Sequence, residues 1–155
     1  MWWRRIRWFL TLAALCAIAT CPAAKRSCTA RNRAVEADDI LGVLADRVAH
    51  AVAVTGKVPP VAAGPTPVPS CCEQGGRCKA DPAVWSAQGW KDLQFTIDGT
   101  YRFTYQYIPD PSGTSALIRA VGDLDCDGTT SLYEVRLTAV GTLTGRAWRR
   151  QNPYE

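Results

Sequence analysis

Three aspartates at alternate positions, Asp123, Asp125 and Asp127, stand in the stretch GDLDCDGTTSLYE, followed by Gly128, Ser131 and Glu134. Alternate carboxylates in a loop converge on a hard cation, and a glycine at the sixth position permits the sharp turn that such a loop needs. Thr129 would offer its carbonyl, Ser131 would act through water and Glu134 would close the shell. The candidate metal ligands are therefore Asp123, Asp125, Asp127, Thr129, Ser131 and Glu134, for calcium or a similar ion. Two features count against it. The eighth position is Thr130, where calcium loops take an apolar residue, and the flanks read as strands rather than helices. If residues 132–140 form a strand, Glu134 shares a polar face with Leu132 and Arg136, and it is free to pair with Arg136 or with solvent. A calcium loop and a plain solvated turn both remain open, since Asp and Gly suit either.

Catalytic constellations are absent from the inventory. His50 is the one histidine, and its place on an amphipathic stretch predicts a solvated or edge position. No Ser-His-Asp or Cys-His arrangement is available without it, and no glycine-rich phosphate loop follows a strand. The expectation is a protein that is not an enzyme.

The elements that would position the aspartates follow a polarised chain. Of the 18 basic residues, Arg4, Arg5, Arg7, Lys25, Arg26, Arg31 and Arg33 precede residue 34, where no acid occurs. That leaves 11 basic residues against 14 acidic ones over residues 34–155, a net charge of −3, which argues against nucleic acid as a partner. The early basic residues bracket the apolar run WFLTLAALCAIATCPAA, residues 8–24. A charged start, a short apolar centre and small residues after it describe a cleaved secretory signal. The same run lies at the lower length limit of a membrane-spanning helix. Both of these readings export the rest of the chain; a core helix of a chain that stays in the cytosol is the third.

Export places the cysteines where disulfides persist. Cys71, Cys72 and Cys78 cluster in CCEQGGRC, and Cys126 lies inside the aspartate loop. Adjacent cysteines point apart and seldom pair with each other. One of Cys71 and Cys72 is thus expected to join Cys78 and the other Cys126. A zinc site lacks a second pair at ligand spacing and a nearby histidine.

Five segments follow. Residues 1–24 are the apolar membrane or signal segment. Residues 25–54 continue as an amphipathic helix, in which Ile40, Leu44, Val48 and Val52 repeat every four residues beside Leu41 and Ala45, an apolar stripe at helical spacing. No Gly or Pro interrupts residues 25–40, so one helix over residues 6–54 is an option, as is a cleaved peptide followed by an independent helix. Residues 55–80 are a connector whose Pro59, Pro60, Pro65, Pro67 and Pro69 forbid a regular helix or a central strand. Residues 81–145 are a sheet domain. There Leu93, Phe95 and Ile97 alternate, then Tyr101, Phe103, Tyr105 and Tyr107, with Asp98-Gly99 between them as a hairpin turn. Further strands are expected over residues 115–121 and 132–140. Residues 146–155 read as a C-terminal tail in which Trp148, Arg146, Arg149 and Arg150 lie at the surface. The aromatic row is expected to pack as core rather than serve as a binding platform, with Trp85 and Trp90 capping it. Four antiparallel strands need a cover for their apolar face, and the helix stripe is the one long partner on offer. The fold class is α+β, a long N-terminal helix on a small antiparallel sheet of about four strands.

Several of these pieces together resemble type IV pilins and the pseudopilins of type II secretion. LCAIATCPAAKRSCTARNRAVEADDIL is similar to the pilin helix, with Pro22 at the place of its proline. The proline-rich lead, CCEQGGRC, the spaced tryptophans and the aromatic segment resemble the globular domain of pilin-like proteins. RAVGDLDCDGTTSLYEV is similar to a Gly-Asp-Leu-Asp-x-Asp-Gly segment late in such domains. The start, MWWRRIRWFL, departs from the family: it has no Gly-Phe processing site, and Arg5 stands where the family has a glutamate. The resemblance implies a structural subunit of a pilus or secretion filament. Its partners would be other pilin or pseudopilin subunits, met through the N-terminal helix in the inner membrane. The head would face the periplasm or belong to an extracellular pilus. A freestanding exported calcium-binding or adhesive module, released by signal cleavage, is the alternative.

Overall fold

The stripe of small and branched residues forms one helix, α1, over residues 31–55 of a computed structural model that describes residues 31–155. Ala34, Ala37, Leu41, Leu44, Ala45, Val48 and Val52 are each at most 5% exposed. They recur at three- and four-residue steps, which places them on one side of the helix. Each buried Leu or Val of that side contributes about 1.5–3 kcal/mol. The helix stops at Gly56, whose φ of +72° suits a residue without Cβ. The Gly56 N–H donates to the Val52 carbonyl at 2.7 Å, and the Thr55 hydroxyl donates to the Ala51 carbonyl at 2.8 Å. Residues 1–24, and the part of the expected 6–54 helix before residue 31, lie outside the described residues. Among the described residues no helix is long and apolar enough to cross a membrane.

Beyond the helix, the chain runs through β1 (Ala63–Thr66), β2 (Cys78–Lys79), α2 (Pro82–Trp85), α3 (Gln88–Asp92), β3 (Thr100–Tyr101), β4 (Thr104–Pro109), β5 (Ser115–Gly122), β6 (Ser131–Val140) and β7 (Leu143–Gln151). The main sheet has the order β1-β4-β5-β6-β7 and is antiparallel throughout. Its inner face carries Tyr105, Tyr107, Ala116, Ile118, Ala120, Tyr133, Val135 and Leu137, all at most 2% exposed and in one core with the α1 stripe. Alternation with period two thus aims one face of each strand at the helix. The fold is α+β, with five strands in the sheet where the sequence predicts four.

Polar ties fix the helix on that face. The Glu36 carboxylate accepts from the Arg102 backbone N–H at 2.7 Å, the Arg102 guanidinium at 3.1 Å and the Tyr105 hydroxyl at 3.3 Å. Because the Arg102 N–H turns to Glu36, the strand is interrupted between β3 and β4. The aromatic row nevertheless stays inside: Tyr101 is 3% exposed, and Phe103, Tyr105 and Tyr107 are fully buried. Trp85 meets Trp90 at 5.0 Å and Phe95 at 5.7 Å between ring centroids, so the tryptophans close the end of the core as expected.

The hairpin expected across Asp98-Gly99 is not formed. Leu93, Phe95 and Ile97 alternate inward, at 3%, 7% and 9% exposure, but the segment pairs with no strand. After the Gly99 turn (φ +89°), β3 pairs instead with β2, and the Ala80 N–H reaches the Gly99 carbonyl at 2.8 Å. Alternation records burial, and burial here comes from packing on Trp85 and Trp90 rather than from a ladder.

Two strands of the main sheet come from segments assigned to connector and tail, and the connector also supplies β2. The proline-rich segment supplies β1 at the edge of the sheet, where Pro65 withholds no ladder donor that a neighbour requires. α3 closes on it: the Trp90 indole N–H donates to the Thr66 hydroxyl at 2.9 Å, and a Cβ on Gly89 would fall 2.2 Å from the Ala62 carbonyl oxygen. Most of residues 146–155 belongs to β7, paired with β6 from Val140↔Leu143 to Leu132↔Gln151. Arg146, Trp148 and Arg150 stand opposite Leu137, Val135 and Tyr133, on the helix side of the sheet. There Arg146 reaches Asp46 at 2.7 Å and Arg150 reaches Asp38 at 2.8 Å.

Candidate functional site

The aspartate loop joins β5 to β6, so two adjacent central strands fix both of its ends. Leu124 turns inward and is 6% exposed, and its carbonyl accepts from the Arg33 guanidinium of α1. Cys126 and Gly128 take positive φ, +64° and +96°. The disulfide Cys72–Cys126 ties the loop to the connector, and Cys71–Cys78 closes the neighbouring turn. The expected division of the four cysteines is therefore resolved as 71 with 78 and 72 with 126.

Within the loop, carboxylate oxygens of Asp123, Asp125 and Asp127 lie within 4.8 Å of one another. Asp123 Oδ1 accepts from the backbone N–H of Cys126 at 2.6 Å and of Asp127 at 3.2 Å, and its Oδ2 accepts from Gly128 at 2.9 Å. Asp127 Oδ1 accepts from the Thr129 N–H at 2.7 Å. These bonds spread the Asp123 charge over backbone dipoles and complete the turn with protein donors alone. Asp125 and Asp127 are exposed and would supply the open oxygen donors for a hard cation. Sulfur ligation is not on offer, because Cys72 and Cys126 are bonded to each other.

The downstream half of the expected ligand set points elsewhere. The Glu134 carboxylate binds Arg119 at 3.1 Å and Arg149 at 3.6 Å. Arg119 and Arg149 are its direct cross-strand neighbours on β5 and β7, whereas Arg136, the partner weighed from sequence, is exposed and two positions further along β6. The Ser131 side chain is buried, and its hydroxyl donates to the Glu155 carbonyl. Thr129 is exposed on the turn and gives its N–H to Asp127. The structure thus brings Asp123, Asp125 and Asp127 together and leaves Ser131 and Glu134 on the strand. A calcium loop brings its twelfth residue back by entering a helix; β6 extends straight from the turn and carries Glu134 away.

Arg33 and Arg119 are the polar residues near this site that motif spacing does not reveal. Arg33 is 91 positions from Leu124, and no local pattern links them. Arg119 meets Glu134 through the register of β5 on β6, which no local pattern records.

No family model, curated protein or solved structure matches the chain.

Proposed function

We propose that the chain is a pilin-like or pseudopilin-like structural subunit that assembles through its N-terminal helix. The observation that carries this reading is the outward side of α1. Val35, Val43 and Val54 are 53%, 47% and 72% exposed. At 100° per residue they fall within one sector opposite the buried stripe. The same sector carries the exposed Asn32, Asp39, Asp46 and His50, so the outer side is mixed, with valines spaced among polar residues. Apolar outward positions, next in sequence to the apolar run 8–24, suit lateral packing against helices of sister subunits in the inner membrane and in a filament. The disulfides and the aspartate loop then stiffen a head held away from the membrane. The role is mechanical and not catalytic. Mass spectrometry of the native protein tests it: a chain that retains residues 8–24 and crosslinks to copies or to other subunits fits assembly. A soluble, uncrosslinked chain starting near residue 25 overturns it.

That second outcome would favour a freestanding exported calcium-binding or adhesive module, for which the convergence of Asp123, Asp125 and Asp127 speaks. Calorimetric titration with calcium tests that reading, and absence of both heat and thermal shift would leave the loop a plain turn.

A further inference from the structure

Beside the disulfide Cys72–Cys126 lies a cavity of about 520 Å³ lined by Arg33, Arg77 and Arg102, with Gly75, Gly76 and Asp125 at its wall. Three guanidinium groups come from three separate parts of the fold: α1, the cysteine-rich turn and the break between β3 and β4. Like charges gathered this way repel, and the repulsion grows as water is excluded. Internal partners answer only part of it. Arg102 pairs with Glu36 at 3.1 Å. Arg33 has the neutral Leu124 carbonyl. Among the described residues Arg77 has no carboxylate within ion-pair distance. Asp125 is the one acid of the lining against three arginines; Glu36 engages Arg102, and carboxylate oxygens of Asp123 and Asp127 lie within 4.8 Å of that of Asp125.

We propose that this cavity binds a small molecule through a dianionic oxyanion of the phosphate or sulfate type. Guanidinium forks present paired donors at the spacing of such oxygens; Arg77 has no carboxylate partner among the described residues, and Arg33 is held by a neutral carbonyl. Gly75 and Gly76, at φ +89° and +85°, form a wall without side chains, so a ligand can approach the backbone closely. A Cβ on Gly76 would meet Cys126 Sγ at 3.9 Å, which puts the two sides of the wall in contact range. The Cys72–Cys126 bond holds the aspartate loop against the cysteine-rich turn and so keeps that wall in place. The volume lies within the range of small-ligand sites and leaves room for a body attached to the oxyanion. This site stands apart from the assembly reading, since neither α1's outward valines nor the apolar run takes part in it.

The test is a titration of the purified full chain with inorganic phosphate, inorganic sulfate and acetate at constant ionic strength, followed by calorimetry. Saturable binding of phosphate and sulfate, with acetate clearly weaker, is expected. Arg77→Glu should weaken phosphate binding at least about tenfold, the loss of a charged hydrogen-bonding group. Its far-ultraviolet circular dichroism should be unchanged, because Arg77 is exposed; Arg77→Ala serves as a milder second variant. Arg136→Glu makes the same charge change at an exposed position outside the lining and should bind as the parent does. Absence of saturable phosphate and sulfate binding overturns the proposal. So does equal weakening by Arg77→Glu and Arg136→Glu, which would mean diffuse attraction, or acetate binding as tightly as phosphate.

Discussion

Glu134 is 8% exposed and stands between two guanidinium groups, Arg119 at 3.1 Å and Arg149 at 3.6 Å. Its neutralisation leaves both arginines without a counter-charge, but both are partly open to water, at 36% and 69% side-chain exposure, so solvent softens the loss. Glu134→Gln should therefore cost about 1–2 kcal/mol in urea unfolding, less than a fully buried pair would. The tyrosines set a second expectation. Burial, aided by the charge of Asp38, pushes the Tyr133 hydroxyl up to about 12. Burial alone raises Tyr107, and burial with the Glu36 charge raises Tyr105 well above its ordinary range. A raised value means that the folded chain holds its phenolic protons after the unfolded chain has released them. Stability from these groups is thus full below about pH 10, the ordinary tyrosine value. It falls as pH rises from there through about 12. Unfolding midpoints measured across that window, together with phenolate absorbance of the native protein, check the sign.

At the scale of elements, the two disulfides should not be equivalent. Cys71–Cys78 spans 7 positions and Cys72–Cys126 spans 54. In the chain-entropy account, the longer loop removes more freedom from the unfolded state, about 4 kcal/mol against about 2.5 kcal/mol. Denaturation of the Cys72→Ala/Cys126→Ala and Cys71→Ala/Cys78→Ala chains should show the larger loss for the first. Helix α1, β5 and β6 were legible in the chain because each carries an apolar pattern at its own period. Helix α1 reads at three and four, and the strands at two. Strand β7 was not legible. Its sequence LTGRAWRRQ has no apolar alternation, because at this edge of the sheet the strand stays exposed and its Arg146 and Arg150 reach Asp46 and Asp38 of α1 instead of entering the core. The segment with Leu93, Phe95 and Ile97 misled in the opposite sense, since period two reports which side is buried and says nothing about a hydrogen-bonded neighbour.

For the whole molecule, the outward and inward sides of α1 should separate stability from assembly. Leu44 is fully buried, so Leu44→Ala should lower unfolding stability by about 2–5 kcal/mol. Val35→Glu with Val43→Glu changes exposed positions. It should leave the unfolding midpoint nearly unchanged while abolishing crosslinking between subunits in membranes. Equal crosslinking by parent and double variant would remove the valines from any interface. By itself the sequence determined the helix stripe, the aromatic core, the choice of cysteines and the three aspartates that meet in the loop, because each depends on residue types at short, regular spacing. Tertiary structure alone decided the partners of Glu134, the fifth strand and the gathering of Arg33, Arg77 and Arg102. These depend on which strands lie side by side and on contacts between residues far apart in the chain, and residue spacing carries no record of either.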